Sequence, residues 1–169
     1  MPISKMILPE FDHEMASTRK TLERVPDDKF DWKPHEKSMA LGELATHLAS
    51  IPSWTKETFA RDELDVAPPG EPEYRLEPLK SREEILEAFD KNVASARAAL
   101  EGATDENWQG KWSLLNRAKP IFTLPRTAVI RGFILSHSIH HRAQLGVYLR
   151  LLDVPVPSIY GPSADEGSF

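Results

Sequence analysis

The chain contains no cysteine. That excludes disulfides, thiolate zinc knuckles, iron–sulfur clusters and a cysteine nucleophile. It fits a reducing compartment, although a cysteine-free chain is compatible with either redox setting. No apolar run approaches the roughly 20 residues that span a bilayer. Residues 1–10 lack a basic region followed by an apolar stretch, so no signal peptide is expected. Positive charge is also scarce. The 21 Lys and Arg are outnumbered by 26 Asp and Glu, giving a formal charge of −5, and no basic cluster rises above scatter. Nucleic-acid binding needs a basic face, so neither a nucleic acid nor a membrane is an expected partner. A soluble, cytoplasmic protein is the expectation. Internal repeats and low-complexity tracts are also lacking.

What is present suits one globular domain. The 169 residues are 40% hydrophobic and 28% charged, enough chain to bury a core without a staple. Four segments carry the helical period of apolar residues. The first, from about Ser4 to Val25, places Ile7, Phe11, Met15, Thr18 and Leu22 on one stripe and stops at Val25-Pro26-Asp27-Asp28. The second starts near Ser38, a candidate N-cap, with Leu41, Leu44, Leu48 and Ile51 inward. Pro52 should kink or break it before it resumes through Trp54, Thr58 and Phe59. The third opens at Ser81, with Glu84 three residues on, and ends at Gly102. The fourth runs from about Pro125 to Leu152. A proline-containing loop, Asp62 to Lys80, joins the second and third and is a candidate lid. The short apolar run from Lys119 to Leu124 could be extended, and a proline-rich tail follows Val154. With four long helices and no evident strand alternation, the expected class is all-α, a four-helix bundle in a single domain over residues 1–169.

Six histidines are present, and three lie within five residues. His137 and His141 are four apart, about 40° from one another on a helix at about 100° per residue, so their imidazoles can converge on one ion. Gln144 falls about 20° from His137 on the other side and faces the same space. His140 lies about 60° from His137 and about 100° from His141, which suits a supporting group better than a ligand. A third ligand must come from another helix, and His47, on the stripe of Leu44 and Ile51, is the candidate. Three neutral imidazoles with one open position describe a catalytic zinc site, or a nickel or iron site. The plainer reading is that inward histidines are hydrogen-bonded core residues. His13 on the solvent face and His35 in a loop have no evident role.

The stretch from Leu22 through Pro26, Trp32, Pro34 and His35, continuing as Gly42-Glu-Leu-Ala-Thr-His47-Leu, resembles the DinB-like (YfiT-like) superfamily. So do His137-Ser-Ile-His-His141-Arg-Ala-Gln-Leu-Gly-Val-Tyr-Leu-Arg150 and the ending Leu151-Leu-Asp-Val-Pro-Val-Pro157. The resemblance covers nearly the whole chain. It implies a four-helix bundle of up-down-down-up topology. It also implies a divalent metal, commonly zinc or nickel, on His47, His137 and His141, and in many members a homodimer.

Two functions follow as expectations. One is a metal-dependent enzyme, a hydrolase or a transferase that activates a low-molecular-weight thiol, acting on a small-molecule substrate. With no cysteine in the chain, any thiolate would come from a cosubstrate. His140 and Gln144 are its candidate catalytic helpers, His140 for proton transfer and Gln144 for orientation only. Glu43, four residues before His47, is a carboxylate worth testing, although a solvated helix residue is the commoner role. The other function is a stress-related metal- or ligand-binding protein without catalysis. Trp54, Phe59, Trp108 and Tyr148 could line a pocket, but aromatics at helical spacing are more often core.

Overall fold

The structure is a computed structural model, and it describes residues 2–167. The helical stripes form as expected. Helix α1 (Ile3–Leu22) buries Phe11, Met15 and Leu22. Helix α2 (Leu41–Ser50) buries Leu41, Leu44 and Leu48. It passes through a 3-10 turn at Ile51–Ser53, which contains Pro52, into α3 (Trp54–Ala60). Pro52 has no N–H to continue the ladder. Helix α4 (Arg82–Gly102) starts at Ser81, whose hydroxyl accepts the Glu84 N–H at 3.1 Å, while the Glu84 carboxylate accepts the Lys80 N–H at 2.7 Å. After the short α5 (Asp105–Gln109), the last helix comprises α6 (Arg126–Ala128), a π-helical stretch Val129–Ser136 and α7 (His137–Leu151). Helices α1 and α2 each pack on α4 and α7. The ring therefore runs α1, α4, α2, α7 around a core of Phe11, Leu44, Leu48, Phe89, Ile130 and Leu145. No helix is long and apolar enough to cross a membrane.

Helix α2 begins later than Ser38, and the reason is local. The main-chain carbonyls of Trp32 and Phe30 accept the N–H groups of Leu41 and Gly42 at 2.8 and 2.9 Å, and the Glu43 carboxylate accepts the Ala40 N–H at 2.8 Å. The helix start is satisfied without a Ser cap. Gly42 permits this close approach, because a Cβ there would lie 2.8 Å from the Phe30 ring.

The all-α expectation needs correcting: the protein is mostly helical but carries a small three-stranded sheet. Strands β2 (Lys111–Asn116) and β3 (Lys119–Pro125) form an antiparallel hairpin, and β1 (Glu63–Asp65), from within the expected loop, pairs with β2 in parallel. Trp112 and Leu114 alternate inward and build a second small core with Val129. The two-residue turn lacks the usual Asn-Gly signal. Instead Arg117 and Ala118 hold positive φ of 51° and 60°. Their amides donate to the Asp65 carboxylate at 3.1 and 2.7 Å. A partner far away in sequence thus supports a turn that no local residue announces.

One buried ion pair joins α1 to α7. Arg142 lies 2.7 Å from the Glu14 carboxylate, with the two side chains only 5% and 7% exposed. Arg142 also donates to the Glu14 carbonyl at 3.1 Å, and the Tyr160 hydroxyl from the tail donates to the Glu14 carboxylate at 2.7 Å. Removing one partner strands the other charge. Arg142→Met is expected to cost about 3–5 kcal/mol in urea denaturation, and adding Glu14→Leu should recover most of the loss. A single-variant loss below about 1 kcal/mol would show that water reaches Glu14 freely.

Candidate metal centre

Helices α2 and α7 pack together and bring His47, His137 and His141 into one group. One ring nitrogen from each lies within 4.8 Å of the other two, and all three side chains are partly buried. Nε2 of His47 and Nε2 of His137 are 3.3 Å apart. The His141 ring centroid is 4.6 Å from those of both His47 and His137. Among the described residues, this convergent group consists of the three histidines alone.

The outer nitrogens are held. The Gln144 side-chain carbonyl lies 2.7 Å from Nδ1 of His141, and the Phe133 main-chain carbonyl lies 3.3 Å from Nδ1 of His137. A carbonyl can only accept, so each Nδ1 carries its proton and each Nε2 keeps a lone pair for the site. Burial, first of all, pushes His47 down from its ordinary value to about 4, and the neighbouring histidines add to it. Burial also lowers His137 and His141, against the opposing bonds to Phe133 and Gln144. At neutral pH all three are neutral, the form that ligates a metal.

This donor set fits a first-row divalent ion. Zinc–nitrogen bonds of about 2.0–2.1 Å at a tetrahedral centre put two ligating nitrogens about 3.3 Å apart, the spacing observed between His47 and His137. Imidazole suits zinc, nickel, copper and iron alike.

The supporting residues divide. Gln144 orients His141. His140 is exposed, and its ring centroid lies 4.9 Å from that of His141, outside the convergent group. Glu43 caps α2, as described above, and does not join the histidines. His13 and His35 are exposed and stand apart. Of the candidate aromatics, Trp108 is fully buried core. Trp54 instead meets Phe133 edge-on at 5.6 Å, and Phe133 lies 5.7 Å from His137. Sequence reasoning missed the Phe133 carbonyl, because no side-chain pattern marks a main-chain acceptor. It also missed Thr46, whose hydroxyl accepts the Leu79 N–H at 3.0 Å. This bond pins the 66–80 segment beside His47. Met39, Glu43, Thr46, Leu76 and Pro78 line a cavity of about 360 Å³ that reaches His47.

The sign of the pH dependence follows from the lowered values. Folding keeps these imidazoles neutral, so the unfolded chain binds more protons between the ordinary value of 6.5 and about 4. Stability of the metal-free protein is therefore complete above pH 6.5 and is lost progressively as pH falls towards 4. Urea titrations at pH 6.5, 5.5 and 4.5 should show this decline, and His47→Gln should flatten it. An unchanged slope in the variant would contradict the assignment.

The sequence profile of the DinB family matches residues 3–168. The uncharacterized protein YrdA of Bacillus subtilis (strain 168) is 25% identical over 163 residues, covering 94% of this chain and 89% of that protein. The crystal structure of a DinB-like protein from Bacillus cereus ATCC 10987 superposes with a TM-score of 0.69 at 20% identity, over 94% of this chain and 98% of that one. That of the DinB-like protein YjoA from Bacillus subtilis gives 0.67 at 19% identity, over 91% and 96%.

Proposed function

Since the chain belongs to the DinB family, we propose that it is a divalent-metal-binding protein, an up-down-down-up four-helix bundle that holds zinc or nickel on His47, His137 and His141. The observation that carries this reading is the convergence of three neutral imidazoles, two of them with their Nδ1 protons held on carbonyls. Three protein ligands leave a coordination position for water or substrate. A metal there supplies Lewis acidity and lowers the pKa of bound water.

The proposed activity is a hydrolase or a transferase using a low-molecular-weight thiol. In this reading the cavity beside His47 receives the small molecule. Met39, Leu76 and Pro78 offer it apolar contact, and Glu43 and Thr46 offer polar groups at the wall. Gln144 keeps His141 oriented, and exposed His140, whose ring lies 4.9 Å from that of His141, exchanges protons with solvent. A second reading, metal binding without catalysis, is favoured by one observation: Glu43, the carboxylate of α2 nearest His47 in sequence, is engaged in capping.

Metal analysis of protein purified without a histidine tag tests the shared premise. One zinc or nickel per chain is expected, lost in a His47→Ala, His141→Ala double variant. Chelation should lower the melting temperature, since a metal at about 100 times its Kd stabilises by about 2.7 kcal/mol. A wild-type protein that stays metal-free after reconstitution with zinc, nickel and iron would overturn both readings. Turnover of thiol or ester probes by the loaded protein separates the first from the second.

A further inference from the structure

We infer that the π-helical stretch Val129–Ser136 is a positioning device for the metal site, acting through the main-chain carbonyl of Phe133 on His137. The inference rests on the reading of His137 as a ligand. In an α-helix each carbonyl accepts the amide four residues on. In a π-helix the spacing is five. Where a chain returns from five to four, the ladder passes over one carbonyl. Here the return falls at His137, where α7 begins. The Ile134 carbonyl accepts a main-chain amide at this junction. The carbonyl just before it belongs to Phe133, and it faces Nδ1 of His137 at 3.3 Å.

A histidine in a regular α-helix finds the carbonyl four residues back already bonded to its own amide. The wide turn frees that carbonyl, and a freed carbonyl that is partly buried needs a donor. The imidazole supplies it. Ser136 secures the wide turn, its hydroxyl donating to the Arg131 carbonyl five residues back at 2.9 Å. The stretch also keeps Val129, Ile130, Ile134 and Leu135 buried, so the widened turn does not sacrifice the core.

The chemical consequence is a fixed tautomer. The neutral histidine side chain in water favours the proton on Nε2, the nitrogen that here must carry a lone pair. In the metal-free protein His137 therefore carries Nδ1–H towards Phe133, and His141 carries Nδ1–H towards Gln144. His47, with its Nε2 3.3 Å from the bare Nε2 of His137, carries Nε2–H. For His47 to ligate through Nε2, that proton would move to its own Nδ1, and the ring would stay neutral. Exposed His35, whose Nδ1 accepts the Lys37 N–H at 3.1 Å, carries Nε2–H and serves as an internal reference.

Two-bond proton–nitrogen NMR correlations on the metal-free protein at about pH 8, where imidazoles are neutral, read these tautomers directly. The expected result is Nδ1–H for His137 and Nε2–H for His35. An Nε2–H tautomer at His137 overturns the inference. This readout needs no metal, so failure of the protein to bind zinc, nickel and iron would sink the proposed function without deciding the tautomer of His137.

Deleting Gly132, an exposed residue with no neighbour within 4 Å of where its Cβ would stand, returns the stretch to four-residue spacing. The deletion should shift His137 away from Nδ1–H and weaken zinc binding, measured by chelator competition, by about ten- to a hundredfold. A folded deletion variant with an unchanged tautomer and unchanged affinity overturns the role of the wide turn. Should the deletion fail to fold, Ser136→Ala loosens the same turn at constant chain length. It is expected to move the tautomer in the same direction, and an unmoved tautomer overturns the role equally.

Discussion

The buried Glu14–Arg142 pair is the constraint on which the position of α7 depends. Buried ion pairs contribute little net stability, because desolvation offsets their attraction. They do restrict geometry severely. A guanidinium deep between two helices is satisfied only where carboxylate, carbonyl and hydroxyl partners already stand, and Glu14 and Tyr160 supply those. Sliding α7 by one turn would leave both charges stranded. Because Arg142 directly follows His141, the pair that fixes the helix also fixes the height at which two of the three histidines meet His47.

From that anchor the site is assembled by hydrogen bonds of decreasing obviousness. Gln144 reaches His141 from one turn away on the same helix. Thr46 holds the 66–80 segment over the neighbourhood of His47. The Phe133 carbonyl reaches His137 only because the helix widens before it. Each bond leaves a lone pair or a cavity wall where a ligand can use it. None adds a charged side chain to the group itself, so the site relies on neutral nitrogen donors, and burial keeps them neutral.

How much of this was legible in the sequence depends on how local each determinant is. The histidine pair on α7 was legible because four-residue spacing on a helix has one geometric meaning. The third histidine followed from the apolar stripe of Leu44 and Ile51. The start of α4 was legible because Ser81 and Glu84 sit within one turn of each other. The extended run from Lys119 was legible and forms β3, but the hairpin turn was not, because Arg117 and Ala118 say nothing of a turn, and its support comes from Asp65 on a strand of three residues. The π stretch was hidden too. Its apolar residues satisfy a helical stripe at either spacing, and the difference lies in which carbonyl is left over. Glu43 was legible only as a helix residue near His47 in sequence; that its carboxylate holds the Ala40 N–H at the start of α2 depends on the backbone there.

The Asp65 clamp also bears on the order in which the chain folds. Strand β2 can pair with β3 soon after both are made, but its turn keeps two residues in a conformation unfavourable for side chains until Asp65 arrives. Asp65 arrives only when β1 docks in parallel beside β2, which requires α4 to be in place between them in sequence and a long loop to close. The sheet is thus held by contacts distant in sequence, the kind whose loop closure is costly in chain entropy. The segment that covers the cavity beside His47 continues directly from β1. The clamp on the hairpin turn and the wall of the cavity beside His47 therefore belong to one continuous stretch of chain, so a change that loosens β1 is felt at both.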